Sequence, residues 1–183
     1  LAQVLTGAQG VTVKEAGAYF GHMLRKLAAL RQALLLKVEK LAWLAPLIIR
    51  ISVGIAFAIT GWGKLQNLPR IIEFFRGLGI PAPELQAPFV AGLEFFGGLA
   101  LIVGLGARLF SIPLMGTMVV AILTANLDKI EAWTDLFDLI EWHYFVFFFV
   151  IALLGPGPVS VDAFVAKKLA AAAIPPALPL PPR

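Results

Sequence analysis

There is no cysteine among the 183 residues, which excludes disulfides, thiol redox chemistry, iron–sulfur ligation and CxxCH haem attachment together. Any redox role would need a bound cofactor or a neighbouring subunit. Histidine is nearly as scarce, with two residues, and only 14% of the chain is charged. No HExxH, Walker loop, dinucleotide fingerprint or nucleophile triad occurs, and the carboxylates do not fall at metal-ligand spacing. No metal site and no nucleic-acid partner are expected. No short charged n-region opens the chain, so no secretory signal peptide is expected either.

What the chain has in abundance is apolar surface. Sixty per cent of its residues are hydrophobic and the mean hydropathy is +0.88, values that indicate an integral membrane protein of one domain. Residues 87–109 (APFVAGLEFFGGLALIVGLGARL) are long and apolar enough to cross a bilayer, yet they enclose Glu94. A carboxylate at mid-membrane costs on the order of 2.5 to 3.5 kcal/mol on insertion scales, so Glu94 requires a partner. Ala91, Gly92, Gly97, Gly98, Ala100 and Gly104 in the same stretch are the small residues that let membrane helices approach closely.

Residues 1–40 form a cytoplasmic amphipathic segment. Thr12 and Glu15 have capping-box spacing, and apolar residues then recur at helical intervals from Phe20 to Leu41 beside Lys14, Arg25, Lys26, Arg31, Lys37 and Lys40. Such a helix fits either an anionic membrane surface or a partner subunit. Residues 41–168 make the transmembrane domain, with spans at about 41–63, 88–106, 109–126 and 139–154. Pro46 starts or bends the first span, and Pro113 with Gly116 kinks or weakens the third. Residues 67–83 are too short to cross and read as an interfacial helix or partial lid. Asp128, Glu131, Asp135, Asp138 and Glu141 alternate with Leu127, Ile130, Trp133, Phe137 and Ile140, so 127–141 reads as an acidic amphipathic helix. A Pro-rich tail, 169–183, follows. The expected fold is thus all-α: a bundle of four transmembrane helices with an N-terminal amphipathic surface helix and short interfacial helices in the outer loops.

Four spans place both termini on one side. Six Lys and Arg in the N-terminal segment, Arg108 and three in the C-terminal tail oppose only Lys64, Arg70, Arg76 and Lys129 in the other loops. The positive-inside rule then puts both ends in the cytoplasm, in a bacterial inner membrane. On the first span Arg50, Gly54, Ala58, Gly61 and Lys64 share a face, which marks it as a helix contact. Glu94 lies about six residues into its span from the Lys64 side, roughly 9 Å down, so Lys64 is the expected ion partner. Arg50 is too far and is expected to meet Ser52, neighbouring backbone or a lipid phosphate. Lys64 and Glu94 are the candidate catalytic pair, and Asn126, His143 and Tyr144 complete the polar end of a pocket roofed by Trp62 and Trp142. The pocket could bind a quinone head group or pass a proton through Glu94 and His143. Against this, a Lys–Glu pair can simply fix helix register, and Trp, His and Tyr at a span's end are what an aromatic belt shows. The acidic stretch is a solvated face or a docking site for a cationic partner.

Arg50 with Gly61-Trp62-Gly63-Lys64, then Gly79-Ile80-Pro81-Ala82-Pro83, then Glu94-Phe95-Phe96-Gly97-Gly98 with Gly104 and Arg108, and finally Gly155-Pro156-Gly157 before Ser160-Val161-Asp162, together resemble the DoxX family of small four-helix membrane proteins. The resemblance covers about residues 47–168 and leaves out the N-terminal helix and the acidic loop. It implies a membrane subunit linked to quinone-dependent redox complexes, with Arg50, Lys64 and Glu94 at the family's polar positions. The expectation is an accessory subunit of a quinone-linked oxidoreductase, in contact with membrane lipid and with other membrane or redox subunits. A non-catalytic scaffold or assembly subunit is the alternative. A small transporter is a third, weakened by the lack of an internal repeat.

Overall fold

A run of apolar residues becomes a helix of defined length only where its ends are set by capping and by glycine, and those ends differ here from hydropathy alone. The computed structural model describes residues 13–173. Seven α-helices follow in order: α1 Val13–Leu41, α2 Leu44–Gln66, α3 Leu68–Gly77, α4 Pro83–Val103, α5 Ala107–Ala125, α6 Ile140–Leu154 and α7 Val161–Ala173. No strand occurs among the described residues. Three helices are long and apolar enough to cross a membrane, those ending at Gln66, Val103 and Ala125, and α6 is a shorter apolar helix. The protein is a helical membrane bundle.

The first two expected spans are shifted by three to five residues, and the last two agree to within two. α2 starts at Leu44, so Pro46 sits in its first turn, where a missing amide hydrogen costs nothing, and starts the helix without bending it. α4 starts at Pro83 rather than 88 because that proline occupies its first position, and it stops at Gly104, whose φ of 73° is left-handed. Arg108, just beyond the expected end of that span, belongs to the first turn of α5. α5 continues unbroken through Pro113 and Gly116. The acidic stretch is not one helix. It forms two 3-10 turns, Leu127–Lys129 and Trp133–Asp138, because Ile130 and Ala132 are extended and Asp135 takes the backbone N–H groups of Glu131 and Ala132 at 2.9 and 2.8 Å. An aspartate that binds its own preceding amides competes with helix formation. Thr12 and most of the Pro-rich tail lie outside the described residues.

The chain divides into two units, residues 1–42, which contain α1, and residues 43–183, which contain α2 to α7. Within the second unit α2 packs most extensively on α4, and α5 on α6. Glycine makes the first of these contacts possible. A Cβ at Gly98 would stand 2.5 Å from the Ala58 nitrogen, and one at Gly61 would overlap the backbone of Phe95. The backbones therefore touch, as small residues permit in membranes. Val53, Phe57, Leu101, Leu114, Phe148 and Ile151 fill the centre between α2, α4, α5 and α6. A second cluster, Phe75, Ile80 and Ala87, seats α3 against the start of α4, where Arg76 also binds Glu84 at 2.7 Å.

Candidate functional site

The α2–α4 contact brings Lys64 and Glu94 together. Nζ of Lys64 donates to Oε1 of Glu94 at 2.6 Å, joining the two helices. The Glu94 side chain is 4% exposed and that of Lys64 31%, so the acid is sealed in the contact while its partner reaches open space. Oε2 of Glu94 is buried and has no hydrogen-bond partner among the described residues. A desolvated acceptor left in that condition costs about 1 to 3 kcal/mol, and the ammonium retains N–H groups beyond the one engaged.

Beside the pair lies a cavity of about 570 Å³, within the usual size of small-molecule sites. α2, α3, α4, α5 and α6 all contribute to its wall. Phe57, Phe75, Leu93 and Met118 make most of it apolar, and its polar members are Lys64, Glu94, Gln86, Asn126, Glu141 and Tyr144 with Thr60, Thr117 and Thr124. Asn126 is 7% exposed, donates from Nδ2 to the Ala121 carbonyl at 3.3 Å and accepts from Nζ of Lys129 at 2.7 Å. Tyr144 meets Phe57 edge to face with ring centres 5.0 Å apart.

Three expected pocket residues do not line this cavity. Trp62 is two residues before Lys64, so it projects from the opposite side of α2, where it is half exposed and lies against Phe95. Trp142 is likewise two residues before Tyr144 and stacks on Phe145, with ring centres 5.5 Å apart. His143 is exposed, its Nδ1 lies 2.9 Å from the carbonyl of Leu139, the residue before α6, and no hydrogen bond joins it to Glu94 among the described residues. A proton path from Glu94 through His143 is therefore not built. Thr60, Thr117 and Glu141 line the cavity and were missed by reading motifs along the chain. Helical spacing held the signal: Glu141, Tyr144 and Phe148 fall on one face of α6, as do Thr60 and Lys64 on α2.

Arg50 and Arg108 serve the other end of the bundle. Arg50 is 2% exposed and donates to the backbone carbonyls of Pro156, Val159 (2.9 Å) and Ile102 (3.4 Å). Of the partners expected for it, neighbouring backbone is the one found. A side chain at Gly104 would occupy the space of that guanidinium. Arg108 reaches the last carbonyls of α6, Leu153 and Leu154, at 3.3 and 3.4 Å, and Asp162 accepts from the amides of Gly106 and Ala107, capping α5.

With the ion pair, the small-residue contact and the arginine knot in place, the sequence can be compared as a whole. Residues 45–127 match the DoxX family model. Over that stretch the chain is similar to DoxX proteins. Arg50, Lys64, Glu94 and Arg108 fall inside the match, whereas α1, the acidic loop after Leu127, α6 and α7 fall outside it. The inner membrane protein YqjF of Escherichia coli K12 is 28% identical over 131 residues, covering 72% of this chain and 99% of YqjF. The Bacillus subtilis 168 protein named "Putative oxidoreductase CatD" is 29% identical over 121 residues, covering 66% of this chain and 87% of its own. No solved structure matches. The match ends at residue 127, before α6, and Glu141 and Tyr144 of α6 line the cavity from beyond it.

Proposed function

We propose that the cavity binds the head group of a membrane quinone and that the chain acts as an accessory subunit of a quinone-linked oxidoreductase in a bacterial inner membrane. The observation that carries the reading is the Lys64–Glu94 pair in the wall of an apolar cavity, with hydrogen-bonding capacity left over on both partners. A quinone or quinol ring offers oxygens that accept from the Lys64 ammonium or donate to the Glu94 carboxylate. Its isoprenoid tail suits walls such as Phe57, Phe75 and Met118. The name carried by CatD supports an oxidoreductase link for a related chain.

The test is titration of decylubiquinone into the purified protein in nanodiscs, with a parallel extraction of co-purified lipid. Saturable binding, weakened about tenfold or more by Glu94→Gln and by Lys64→Met, supports the reading, since one lost charge-assisted hydrogen bond is worth about 1.5 to 3 kcal/mol. No binding and no extracted quinone would end it.

The scaffold reading is favoured by a different observation. Trp133 is 77% exposed within the acidic loop, an arrangement suited to holding a partner of basic character. Loss of co-purifying subunits in a Trp133→Ala, Asp138→Ala variant that still binds quinone would support docking at that loop.

A further inference from the structure

α1 lies outside the DoxX match, in a unit that ends at Ala42. From Met23 to Leu41 every residue is exposed. At 100° per residue Phe20, Met23, Leu24, Leu27, Leu30, Leu34, Leu35, Val38 and Leu41 occupy an arc of about 140°. Each of these nine is between 45% and 63% exposed, so a continuous apolar stripe runs from Phe20 to Leu41 that the described residues leave uncovered. Such a stripe does not remain in water at that size.

The charges beside the stripe identify what covers it. Lys26 and Lys37 border one edge, Arg25 lies beyond the other, Arg31 falls within the arc, and Lys40 is on the far side. Glu39 is the single acid from Phe20 to Leu41, so the segment carries five positive charges against one negative. A helix that packs on a protein core pairs its flanking charges with opposite ones. A helix in a headgroup layer places cationic stems at the edges of its apolar face, where the methylenes stay in the acyl region and the charges reach phosphate. In sequence only Ala42 and Trp43 separate α1 from α2, so a membrane that holds α2 has this basic segment tethered at its surface.

We propose that α1 is an in-plane anchor for anionic phospholipid, lying with the Leu27–Leu34 stripe in the acyl boundary and its cations in the headgroup layer. Its function is separate from the cavity and does not depend on what the cavity binds. The stripe recognises the lipid interface and the cations select for negative surface charge. Each basic residue near such a surface contributes up to about fivefold in partitioning.

The absence of cysteine makes a clean test. Full-length chains carrying Leu27→Cys, Leu34→Cys or, on the far side, Ala29→Cys are labelled with an environment-sensitive fluorophore. They are reconstituted in nanodiscs of phosphatidylcholine alone or mixed with phosphatidylglycerol. In the mixed discs the labels at 27 and 34 are expected to shift to the blue and to be quenched by lipid-borne nitroxide, while the label at 29 is quenched by aqueous iodide. Omitting phosphatidylglycerol, raising salt, or introducing Lys26→Glu with Lys37→Glu should weaken the shielding. Equal iodide quenching on both faces would overturn the anchor. Shielding that is indifferent to phosphatidylglycerol and salt would also overturn it, and would assign the stripe to a protein surface such as a second copy. All the labelled positions are exposed, so the substitutions leave the helix itself undisturbed.

Discussion

Arg50 and Lys64 stand near opposite ends of one face of α2, and both are basic residues in a membrane helix. Arg50 is buried and donates to backbone carbonyls from α4 and from the segment between α6 and α7, whereas Lys64 meets a single carboxylate in a cavity wall. Backbone acceptors cannot leave without unfolding the segment that carries them. A side-chain pair beside open volume can exchange one partner for a ligand. The arginine end is therefore a clasp, in which charge holds the ends of three helices, whereas the lysine end borders a cavity and its pair is free to rearrange.

The sharpest way to break this comparison is to remove the clasp. Arg50→Met should destabilise the bundle by roughly 3 to 5 kcal/mol, because Pro156 and Val159 lose a charged donor within a buried contact. Thermal or SDS unfolding in detergent reads the loss. A shift below about 0.5 kcal/mol would mean that the loop holds itself without the guanidinium.

Next in size is the helix contact that carries both residues. Gly61→Ala forces a methyl group into the Phe95 backbone and should cost about 1 to 3 kcal/mol, while separating Lys64 from Glu94. Gly63→Ala, two residues on, meets nothing within 4 Å and should stabilise by up to about 1 kcal/mol through helix propensity. Opposite signs at the two positions would show that the contact, and not glycine content, sets the geometry of the pair. Equal effects would contradict it.

Glu94→Gln sharpens the other half. Lys64 can turn its ammonium outward once released, so the expected stability loss is smaller, on the order of 1 to 2 kcal/mol, than for Arg50→Met. Quinone binding is expected to move the other way, lost in Glu94→Gln and kept in the folded fraction of Arg50→Met. If both variants lost stability and binding in the same proportion, the two ends would not be separable.

Much of this was legible before any coordinates. Small residues around Glu94, and the shared face of Arg50, Gly54, Gly61 and Lys64, are patterns of period 3.6 that report a helix contact directly, and the Lys64–Glu94 pair follows from them. The residues misplaced were those judged by chemical type at a helix end. Trp62, Trp142 and His143 have suitable side chains but the wrong angular position, and only Tyr144 of its triplet lies on the face that Phe148 buries. The cavity itself depends on where α3 folds back on α4, a tertiary contact made by Phe75, Ile80 and Ala87 that no local pattern announces. Two of Arg50's carbonyl partners come from chain about a hundred residues away and the third, Ile102, from 52 away, and spacing within one helix cannot name them.

The smallest expected effect concerns the acidic loop, where local hydrogen bonding defeated an amphipathic pattern. Two backbone N–H groups, those of Ala132 and Glu131, hold the Asp135 carboxyl below the usual aspartate range. A group whose folded pKa is depressed contributes stability that is fully present above its unfolded value, about 3.9, and is lost as pH falls through the lower folded one. Amide exchange at Glu131 and Ala132 should therefore stay protected, pH for pH against a model peptide, down to about pH 4 and lose that protection in stronger acid. Asp135→Asn should abolish the pH dependence while leaving the cavity residues unaffected. Unchanged protection in that variant would mean that the extended backbone at Ile130 and Ala132, and not the carboxylate, is what interrupts the helix.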